Sequence, residues 1–391
     1  MIIQILFKVN KKCLAKFIIN LLYRGMLGIR RFHKNQKKGK FFPAFHFISV
    51  TDDCNLNCQG CWVTGKRTKN TLSVEQIDKI ILASKAQGVY FFGILGGEPL
   101  MYKGLMSIFR KHSDCYFQLF TNGLLLNEAV AGQLKKIANV TPLISIEGDT
   151  EVADIRRGGK NVYSKTWDGV KNSTNAGLIT GVAMSVCKSN IELAFSDDFI
   201  KSLQNQGVLY LWYYIYRPVG QNSKPELALS KNEIRQLRIF LIEARKKYKI
   251  AIIDAYWDAD GKGLCPAASG LSHHINASGD IEPCPVVQFA TENIADGKLK
   301  DIYNHSTFLK EFRKSVPEKT SGCILMDDPK WLVEYVRKHK AKDTSGRENE
   351  EERLLAMNKI DSHGAIENIR ESKWIYRFAK KYAFFGLGAY G

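Results

Sequence analysis

Three closely spaced cysteines are the residues of this chain best suited to chemistry. Cys54, Cys58 and Cys61 lie in the stretch CNLNCQGC, with the spacing Cys-x3-Cys-x2-Cys. A tetrahedral zinc site needs four ligands, which usually come as two pairs that are separated in the sequence. Three local thiolates can instead hold three irons of a [4Fe–4S] cluster. The fourth iron would then be open to a reacting molecule, so the spacing indicates a reactive iron–sulfur site.

The low cysteine content argues against disulfide bonds as the role of this triplet. Nine cysteines in 391 residues are too few for a disulfide scaffold, and the N-terminal segment does not have the pattern of a cleavable secretion signal. We therefore expect a cytoplasmic protein with reduced thiols. A structural zinc site stays open on spacing alone, and with it a zinc- or cluster-binding scaffold protein without catalysis.

The order of the predicted elements indicates how these cysteines are positioned. Alternating or apolar runs predict strands at 45–50, 89–95, 115–120, 142–148, 182–187 and 208–216. Helical patterns at 73–83, 127–138, 165–176 and 191–205 lie between them. This alternation predicts a parallel sheet in an α/β fold, closed as a partial (β/α)6 TIM-type barrel.

Polar and glycine-rich residues collect just after these strands. In α/β barrels the residues that follow each strand line the active face. The positions concerned are the cysteine triplet, GGEP at 96–99, TNG at 121–123, Ser145, Glu147, Ser185 and the segment 216–220. We therefore expect all of them at one end of the sheet.

These motifs resemble those of the radical S-adenosylmethionine (radical SAM) superfamily over residues 45 to about 220. CNLNCQGC matches the cluster loop of that family in spacing, GGEP matches its second-strand motif, and SIEG at 145–148 is similar to its fourth-strand ribose motif. The family usually has an aromatic residue just before the third cysteine, where this chain has Gly60 and places Trp62 just after. Because the thiolates determine ligation, this departure concerns the stacking of the loop near the adenine and not the cluster.

The resemblance implies that the open iron of the cluster binds S-adenosylmethionine through its amine and carboxylate. One electron from the reduced cluster would break the bond to the 5′ carbon, and the resulting 5′-deoxyadenosyl radical would abstract hydrogen from a substrate. A peptide or a lipid is the expected substrate, and a flavodoxin or ferredoxin is the expected electron donor.

The resemblance also implies cofactor-binding roles for residues after the second and fourth strands. Gly96 and Gly97 would let the backbone approach the ligand, and Glu98 would accept hydrogen bonds from its ammonium group. Ser145 and Glu147, two residues apart on one face of a strand, would bind the ribose diol. A plain strand-end turn at GGEP and solvated side chains at 145 and 147 are the alternatives.

Further polar residues are weaker candidates for the same site. The resemblance places Ser185 near the cosubstrate, and Arg156 and Arg157 in a region that holds the methionyl carboxylate in some relatives. The alternatives are a serine satisfied by backbone and a surface loop with two solvated arginines. Side chains that could face the substrate are Tyr213, Tyr214, Arg217, Asp254 and Asp258.

A second group of cysteines follows the predicted barrel. The pattern Cys265-x13-Gly279-x4-Cys284 resembles the opening motif of the SPASM and twitch extensions, with Cys323 as the distal ligand. The middle cysteine set of a full SPASM domain is absent, which implies one auxiliary [4Fe–4S] cluster in a small C-terminal α+β domain. Its fourth ligand would be His273, His274, Asp327 or the substrate. A zinc site or three unrelated buried thiols are the alternatives.

Positive charge is concentrated at the two ends of the chain. Of the net charge of +18, residues 1–50 carry +11 and residues 368–391 carry +4, which leaves +3 for the 317 residues between them. The apolar residues predicted on one face of an N-terminal helix are Ile3, Phe7, Leu14, Phe17, Ile18 and Leu21, opposite Lys8, Lys12 and Lys16. Such basic amphipathic ends are typical of segments that lie on an anionic membrane surface. The alternative is that both ends pack on the barrel.

These observations predict four regions. They are a basic amphipathic segment at 1–42, the barrel at 43–228, the auxiliary cluster domain at 229–335, and a charged linker with a basic aromatic tail at 336–391. We expect an enzyme that lies peripherally at the inner face of the membrane. A nucleic-acid partner is not expected, because no nucleic-acid-binding motif is present.

Overall fold

A parallel β-sheet flanked by helices forms the body of the protein in the computed structural model, which describes residues 8–347 and 349–382. The strands of the described residues, β1 to β11, are Phe45–Ser49, Phe91–Leu95, Tyr116–Thr121, Val140–Ser145, Gly181–Val186, Tyr210–Ile215, Ala251–Ile253, Ser272–Ile275, Ile281–Glu282, Phe289–Ala290 and Lys342–Asp343. The α-helices, α1 to α17, are Lys11–Lys16, Arg24–Gln36, Val74–Ala86, Leu105–Lys111, Glu128–Ile137, Thr150–Arg157, Val162–Asn175, Ile191–Ala194, Asp197–Gln206, Lys231–Lys247, Pro266–Ser269, Leu299–His305, Thr307–Lys319, Ile324–Asp327, Pro329–Lys338, Glu350–Ala356 and Trp374–Tyr382.

The sheet confirms the predicted α/β fold. Its strand order is β7-β6-β5-β4-β3-β2-β1-β8-β9, and every pair from β7 to β8 is parallel. The six predicted strands are β1 to β6, although β4 ends at Ser145, earlier than the predicted end at residue 148. The strands are almost fully buried because helices cover a parallel sheet, which explains why they read as apolar runs.

The helices begin where the sequence provides capping residues. Ser73 and Gln76 form a capping box at the start of α3, and Ser230 and Glu233 form another at the start of α10. Asn127 caps α5 through a hydrogen bond from the backbone N–H of Val130. These local signals explain why the helix starts could be predicted closely.

The predicted C-terminal region shares the barrel sheet, because β7 extends one edge while β8 and β9 extend the other. A buried polar chain joins β1 to this second edge. The Ser49 hydroxyl lies 2.7 Å from Nε2 of His274, and Nδ1 of His274 lies 2.6 Å from the Glu282 carboxylate. Glu282 also accepts a hydrogen bond from Asn276. This network holds the β8–β9 hairpin in register beside the strand that leads into the cysteine loop.

The prediction of a charged, solvent-exposed linker after residue 336 is wrong. Strand β11 pairs with β10, and Ser345, Glu350 and Leu354 are buried. The buried Glu350 carboxylate is paired with Arg347 and Arg353, so opposite charges neutralise each other inside the fold. The charged segment after residue 336 can therefore pack against the body of the protein, because its buried charge is paired.

The N-terminal segment packs on the barrel, as the alternative interpretation held. Helices α1 and α2 continue one another through a π-helical stretch at Phe17–Tyr23. Lys12 and Lys16 are predicted on the helix face opposite the apolar residues. Their side chains donate hydrogen bonds to the carbonyls of Lys136 and Ser113 at 2.8 and 2.6 Å. These lysines thereby satisfy carbonyls that the ends of neighbouring helices leave unpaired. Ile3 and Phe7 lie outside the described residues.

A buried cluster of charges fastens the C-terminal helix α17 to the body. Lys380 donates to Oδ1 of Asp254 at 2.9 Å, and Arg245 pairs with both Asp254 and Glu371. Arg238 lies 3.6 Å from the same Asp254 carboxylate. Burial would raise the pKa of Asp254, but the three neighbouring cations hold it well below its usual range. Asp254, predicted as a possible substrate contact, is thus a structural counter-ion.

We predict that Asp254→Asn lowers the free energy of unfolding by roughly 3–5 kcal/mol, because buried cations lose their shared carboxylate. Urea unfolding monitored by circular dichroism measures this change. Asp260→Asn is the matched control, since Asp260 is exposed and forms a surface pair with Arg370; its effect should stay within about 0.5 kcal/mol. Equal stabilities of the two variants would contradict the structural role of Asp254.

Candidate active site

The cysteine loop after β1 has little regular structure of its own and is held by backbone contacts from several segments. The Glu98 N–H donates to the Asp53 carbonyl at 2.8 Å. The N–H groups of Asn57 and Gln59 donate to the carbonyls of Arg157 and Arg156 at 3.2 and 2.8 Å. The ends of β2 and α6 therefore shape the loop from both sides.

Close approach of backbones explains the glycines around this loop. A Cβ on Gly97 would lie 2.2 Å from the Asp53 carbonyl oxygen, and one on Gly220 would lie 2.1 Å from that of Cys61. Gly158 is in the left-handed region at φ +60°, and a Cβ there would collide with the Asn57 carbonyl oxygen. Gly97 thus serves the packing of the cysteine loop, a role that differs from the predicted approach to the ligand.

A cavity of about 190 Å³ collects most of the predicted site residues. The predicted residues that line it are Cys54, Cys58, Cys61, Gly96, Gly97, Ser145, Glu147, Arg157 and Ser185. They come from the ends of β1, β2, β4 and β5 and from α6, so the sheet brings distant residues to one place. Ser145 and Glu147 both face the cavity although Glu147 lies beyond the last residue of β4.

Glu98 lies behind this cavity and is not among the residues that line it. Its carboxylate accepts hydrogen bonds from Leu100 N–H at 3.0 Å, from the Thr121 hydroxyl at 2.8 Å and from Asn122 N–H at 2.8 Å. The side chain therefore joins the turn after β2 to the turn after β3. The predicted contact with an ammonium group stays a prediction, and in this structure Glu98 braces the two turns.

Glu147 is the electrostatic centre of the cavity wall. Its carboxylate pairs with Arg156 at 3.1 Å and with Arg157 at 3.0 Å, and it accepts the Ser185 N–H at 3.2 Å. Arg156 is buried and the Arg157 side chain is only 12% exposed, which overturns the alternative of two solvated arginines. Glu147 therefore fixes both guanidinium groups at the edge of the cysteine loop.

Burial disfavours the anionic thiolate form of Cys54 and Cys58 in the triplet. Burial raises the pKa of Cys54 to about 12 and also raises that of Cys58. Arg157, whose Nη1 lies 3.7 Å from the Cys58 sulfur, opposes this effect in part. Metal ligation needs thiolates, so binding must displace protons from these sulfurs.

Cys265, Cys284 and Cys323 form a second group next to the first. Burial raises the pKa of Cys265 to about 12, and the neighbouring Cys323 adds to the shift. Burial also raises the pKa of Cys284, and Cys265 and Cys323 add to that shift, so the three thiols influence one another electrostatically. The Nε–H of Arg217 donates to the Cys323 sulfur at 3.3 Å, and Arg217 also lines the main cavity.

Of the side chains predicted as a fourth ligand of this group, His274 and Asp327 have hydrogen-bond partners elsewhere, whereas Nε2 of His273 is buried without one among the described residues. Both ring nitrogens of His274 are committed to Ser49 and Glu282. The His273 ring stacks on Tyr303, with centroids 5.6 Å apart, and contacts the Pro283 carbonyl. Asp327 accepts a hydrogen bond at 2.8 Å from Ser362, whose hydroxyl in turn accepts the Cys323 N–H. Asp327 therefore orients the Cys323 segment indirectly.

Among the residues predicted to face the substrate, Tyr214 and Arg217 line the cavity, whereas Tyr213 donates to the Ala194 carbonyl behind β5. The predicted strand-end segment 216–220 includes Tyr216 without a role of its own, and its ring centre lies 4.9 Å from the Arg156 guanidinium, with the ring against Gly60. Alternation along β6 is the signal that could have identified it, because Trp212, Tyr214 and Tyr216 share one face.

Both cysteine groups fit iron–sulfur clusters. Three thiols of one loop face a single cavity beside a glycine backbone and polar side chains, which suits a three-thiolate cluster with space for a ligand. The second group supplies the buried thiols of Cys284 and Cys323, the half-buried thiol of Cys265, and an arginine that can balance the negative charge of a cluster. In the part of the chain that the structure describes, no helix is long and apolar enough to cross a bilayer.

Comparison with known proteins agrees with this geometry. A model of the Radical SAM superfamily matches residues 48–192. The sporulation killing factor maturation protein SkfB of Bacillus subtilis is 25% identical over 305 residues, which cover 76% of this chain and 73% of that protein. The GTP 3′,8-cyclase of Thermodesulfovibrio yellowstonii is 31% identical over 301 residues, which cover 69% and 88%. The mycofactocin maturase MftC of Mycobacterium ulcerans is 24% identical, with coverage of 70% and 77%.

Solved structures share the fold. Streptococcus suis SuiB bound to S-adenosylmethionine superposes with a TM-score of 0.62 at 18% identity, covering 73% of this chain and 72% of SuiB. The same protein bound to its precursor peptide SuiA gives a TM-score of 0.61 at 17% identity, covering 73% and 70%. At this identity the likeness supports the open barrel with its C-terminal extension and nothing finer.

We predict that Gly97→Ala lowers the free energy of unfolding by about 1–3 kcal/mol, because the added methyl group collides with the Asp53 carbonyl. Gly132→Ala is the control, since a Cβ there meets no atom within 4 Å and lies in the interior of α5. That variant should be neutral or up to about 1 kcal/mol more stable. Urea unfolding measures this change, and an unchanged free energy of unfolding in Gly97→Ala would contradict the packing role of Gly97.

Proposed function

This chain belongs to the radical SAM superfamily, and on that premise we propose that it is an enzyme that modifies a peptide. The observation that carries the proposal is the cavity where the cysteine triplet meets polar residues from four strand ends. Two of its relatives are named as maturation enzymes, SkfB and MftC, and the match to SkfB covers three quarters of the chain. A peptide therefore fits the relatives better than a lipid or a non-catalytic scaffold.

We assign the [4Fe–4S] cluster of the family to Cys54, Cys58 and Cys61. With S-adenosylmethionine bound, such a cluster supplies a radical able to remove hydrogen from an unactivated C–H bond. The residues of the chain position and shield the reactants. Glu147 holds the Arg157 guanidinium 3.7 Å from the Cys58 sulfur, where its charge offsets the negative charge of thiolates.

The cosubstrate would lie along the cavity wall beside the cysteines. Ser145 and Glu147 supply a hydroxyl and a carboxylate suited to a ribose diol, and Ser185 lies beside them. Arg157 is suited to the methionyl carboxylate, because guanidinium groups bind carboxylates through two parallel hydrogen bonds. When a ligand is bound, Glu147 would have to share its hydrogen bonds between the arginines and the ribose.

A second [4Fe–4S] cluster on Cys265, Cys284 and Cys323 is part of the proposal. Cys284 and Cys323 are buried and Cys265 is half-buried, and Pro285 and Val286, next to Cys284, line the main cavity. The substrate would therefore bind between the two cysteine groups. Cleavage of the cosubstrate consumes an electron, so we include an external donor such as a flavodoxin or ferredoxin.

We further propose that the enzyme works in the cytoplasm at the inner membrane surface. Helix α17 leaves Trp374, Phe378 and Tyr382 exposed as a stripe with a spacing of four residues. Arg377 and Lys381 flank this stripe, so apolar and basic side chains point outward together. Ile18, Ile19, Leu22, Tyr23 and Leu27 are also exposed in the N-terminal helical segment. Apolar stripes with adjacent cations are suited to an anionic lipid surface.

Transfer of deuterium tests the substrate class. The protein is incubated without oxygen with dithionite, S-adenosylmethionine and a perdeuterated peptide fraction from the cells in which the protein naturally occurs. We predict that it releases 5′-deoxyadenosine that carries deuterium. The Cys54→Ala/Cys58→Ala/Cys61→Ala variant should form none above background, whereas Cys115→Ala, which changes a buried cysteine far along the chain from the loop, should retain the product. Mass spectrometry measures the product. Label from the lipid fraction alone would contradict a peptide substrate, and purified protein with zinc and no labile sulfide would contradict the clusters.

Binding to vesicles tests the membrane proposal. We predict that the full chain sediments with vesicles containing phosphatidylglycerol and not with pure phosphatidylcholine vesicles, and that salt weakens this binding. Trp374→Ser/Phe378→Ser should reduce the bound fraction severalfold. Ile155→Ser is the matched control, because Ile155 is a similarly exposed apolar residue at 58% that lies on α6. Binding that is unchanged in the double variant would exclude α17 as the contact.

A further inference from the structure

The segment that follows β6 lies between the two cysteine groups. On one side, Gly220 packs against the Cys61 carbonyl and Tyr216 packs against Gly60. On the other side, Arg217 reaches Cys323. One short stretch of chain therefore touches the ligand loops of both groups.

The Arg217 side chain is held in place by several contacts. Its Nε lies 3.3 Å from the Cys323 sulfur, and its Nη1 lies 3.3 Å from the Tyr256 hydroxyl. The same hydroxyl accepts the Ile215 N–H at 3.1 Å, which ties Tyr256 to the end of β6. The His363 ring packs on Tyr256 with centroids 4.6 Å apart. The guanidinium is thus fixed in position beside the sulfur.

The surroundings keep this charge effective. Arg217 is 9% exposed, so little water screens its interaction with Cys323. Although burial lowers the pKa of Arg217, the nearby Tyr256, Cys323 and Cys284 raise it above its usual value, and the side chain stays charged. The reduction potential of an iron–sulfur cluster depends on hydrogen bonds to its sulfurs and on the local charge. A cation stabilises the reduced form because that form carries one more negative charge.

We propose that Arg217 is a positioning residue that raises the reduction potential of the cluster held by Cys265, Cys284 and Cys323. This inference rests on the second cluster of the proposed function. Arg217 also lines the main cavity, so the same side chain connects the substrate space with that cluster. Lysine cannot reproduce the arrangement, because it lacks a planar group that donates to the sulfur and to Tyr256 together.

An EPR-monitored redox titration of the second cluster alone tests this role. The background is the Cys54→Ala/Cys58→Ala/Cys61→Ala variant of the full chain, reconstituted anaerobically, in which iron bound to the first loop is removed. We expect the midpoint potential to fall in the order parent, Arg217→Lys, Arg217→Gln, with unchanged iron content. Arg24→Gln is the control, because Arg24 is a partly buried arginine that contacts Asp114 next to the start of β3, at the opposite end of the strands. Its midpoint should equal that of the parent.

The outcomes separate this inference from the proposed function. A background variant without iron or labile sulfide would remove the second cluster and overturn both. A cluster with the parent midpoint in Arg217→Gln would overturn the role of Arg217 alone. If Arg217→Gln binds no iron, the midpoint potentials of the Arg217→Lys and Tyr256→Phe variants test the role of Arg217 instead. A lowered midpoint in these variants supports the role, and a parent midpoint in both overturns it.

Discussion

Close contact between backbones around the cysteine loop is the constraint on which the site depends. The loop has few internal hydrogen bonds, so neighbouring segments must hold it. They approach it at glycines, which have no side chain. Gly97 contacts Asp53, Gly158 contacts Asn57 and Gly220 contacts Cys61 at distances that a Cβ would forbid. These glycines follow β2, α6 and β6, respectively. The parallel sheet places these segments together, and the glycines let them close on the loop.

Buried charge serves two different purposes in this molecule. At the cavity, Glu147 holds Arg156 and Arg157 beside the thiols, so positive charge lies where anionic thiolates would form. At the edge of β7, the Asp254 cluster fastens the C-terminal helix to the body. Both arrangements satisfy every buried ion with a partner of opposite sign, as burial requires. Of the two, only the group around Glu147 faces the main cavity. The Asp254 cluster is therefore interpreted as structural.

The central position of β1 explains how two cysteine groups that are far apart in sequence come to be neighbours. Strand β1 pairs with β2 on one side and β8 on the other, and Pro285 and Val286, which follow the adjoining β9, line the same cavity as the cysteine loop. Periodicity predicted the six strands β1 to β6, because apolar runs are local signals. It did not predict that β8 pairs with β1, since pairing depends on contacts more than 200 residues apart. The packed segment after residue 336 was missed for the same reason.

The sequence alone determined the chemistry that this protein can carry out, because cysteine spacing and strand-end motifs are properties of short stretches. Cys54, Cys58 and Cys61, the alternation of strands and helices, and the second group of cysteines were all identified in this way. Tertiary structure decided which candidates share a cavity and which are engaged elsewhere. It joined Glu98 to the turn after β3, made Asp254 an internal counter-ion, committed His274 to Ser49 and Glu282, and placed Arg217 between the cysteine groups. Hydrogen bonds and ion pairs between distant segments set these roles, and such pairings leave no periodic pattern in the chain.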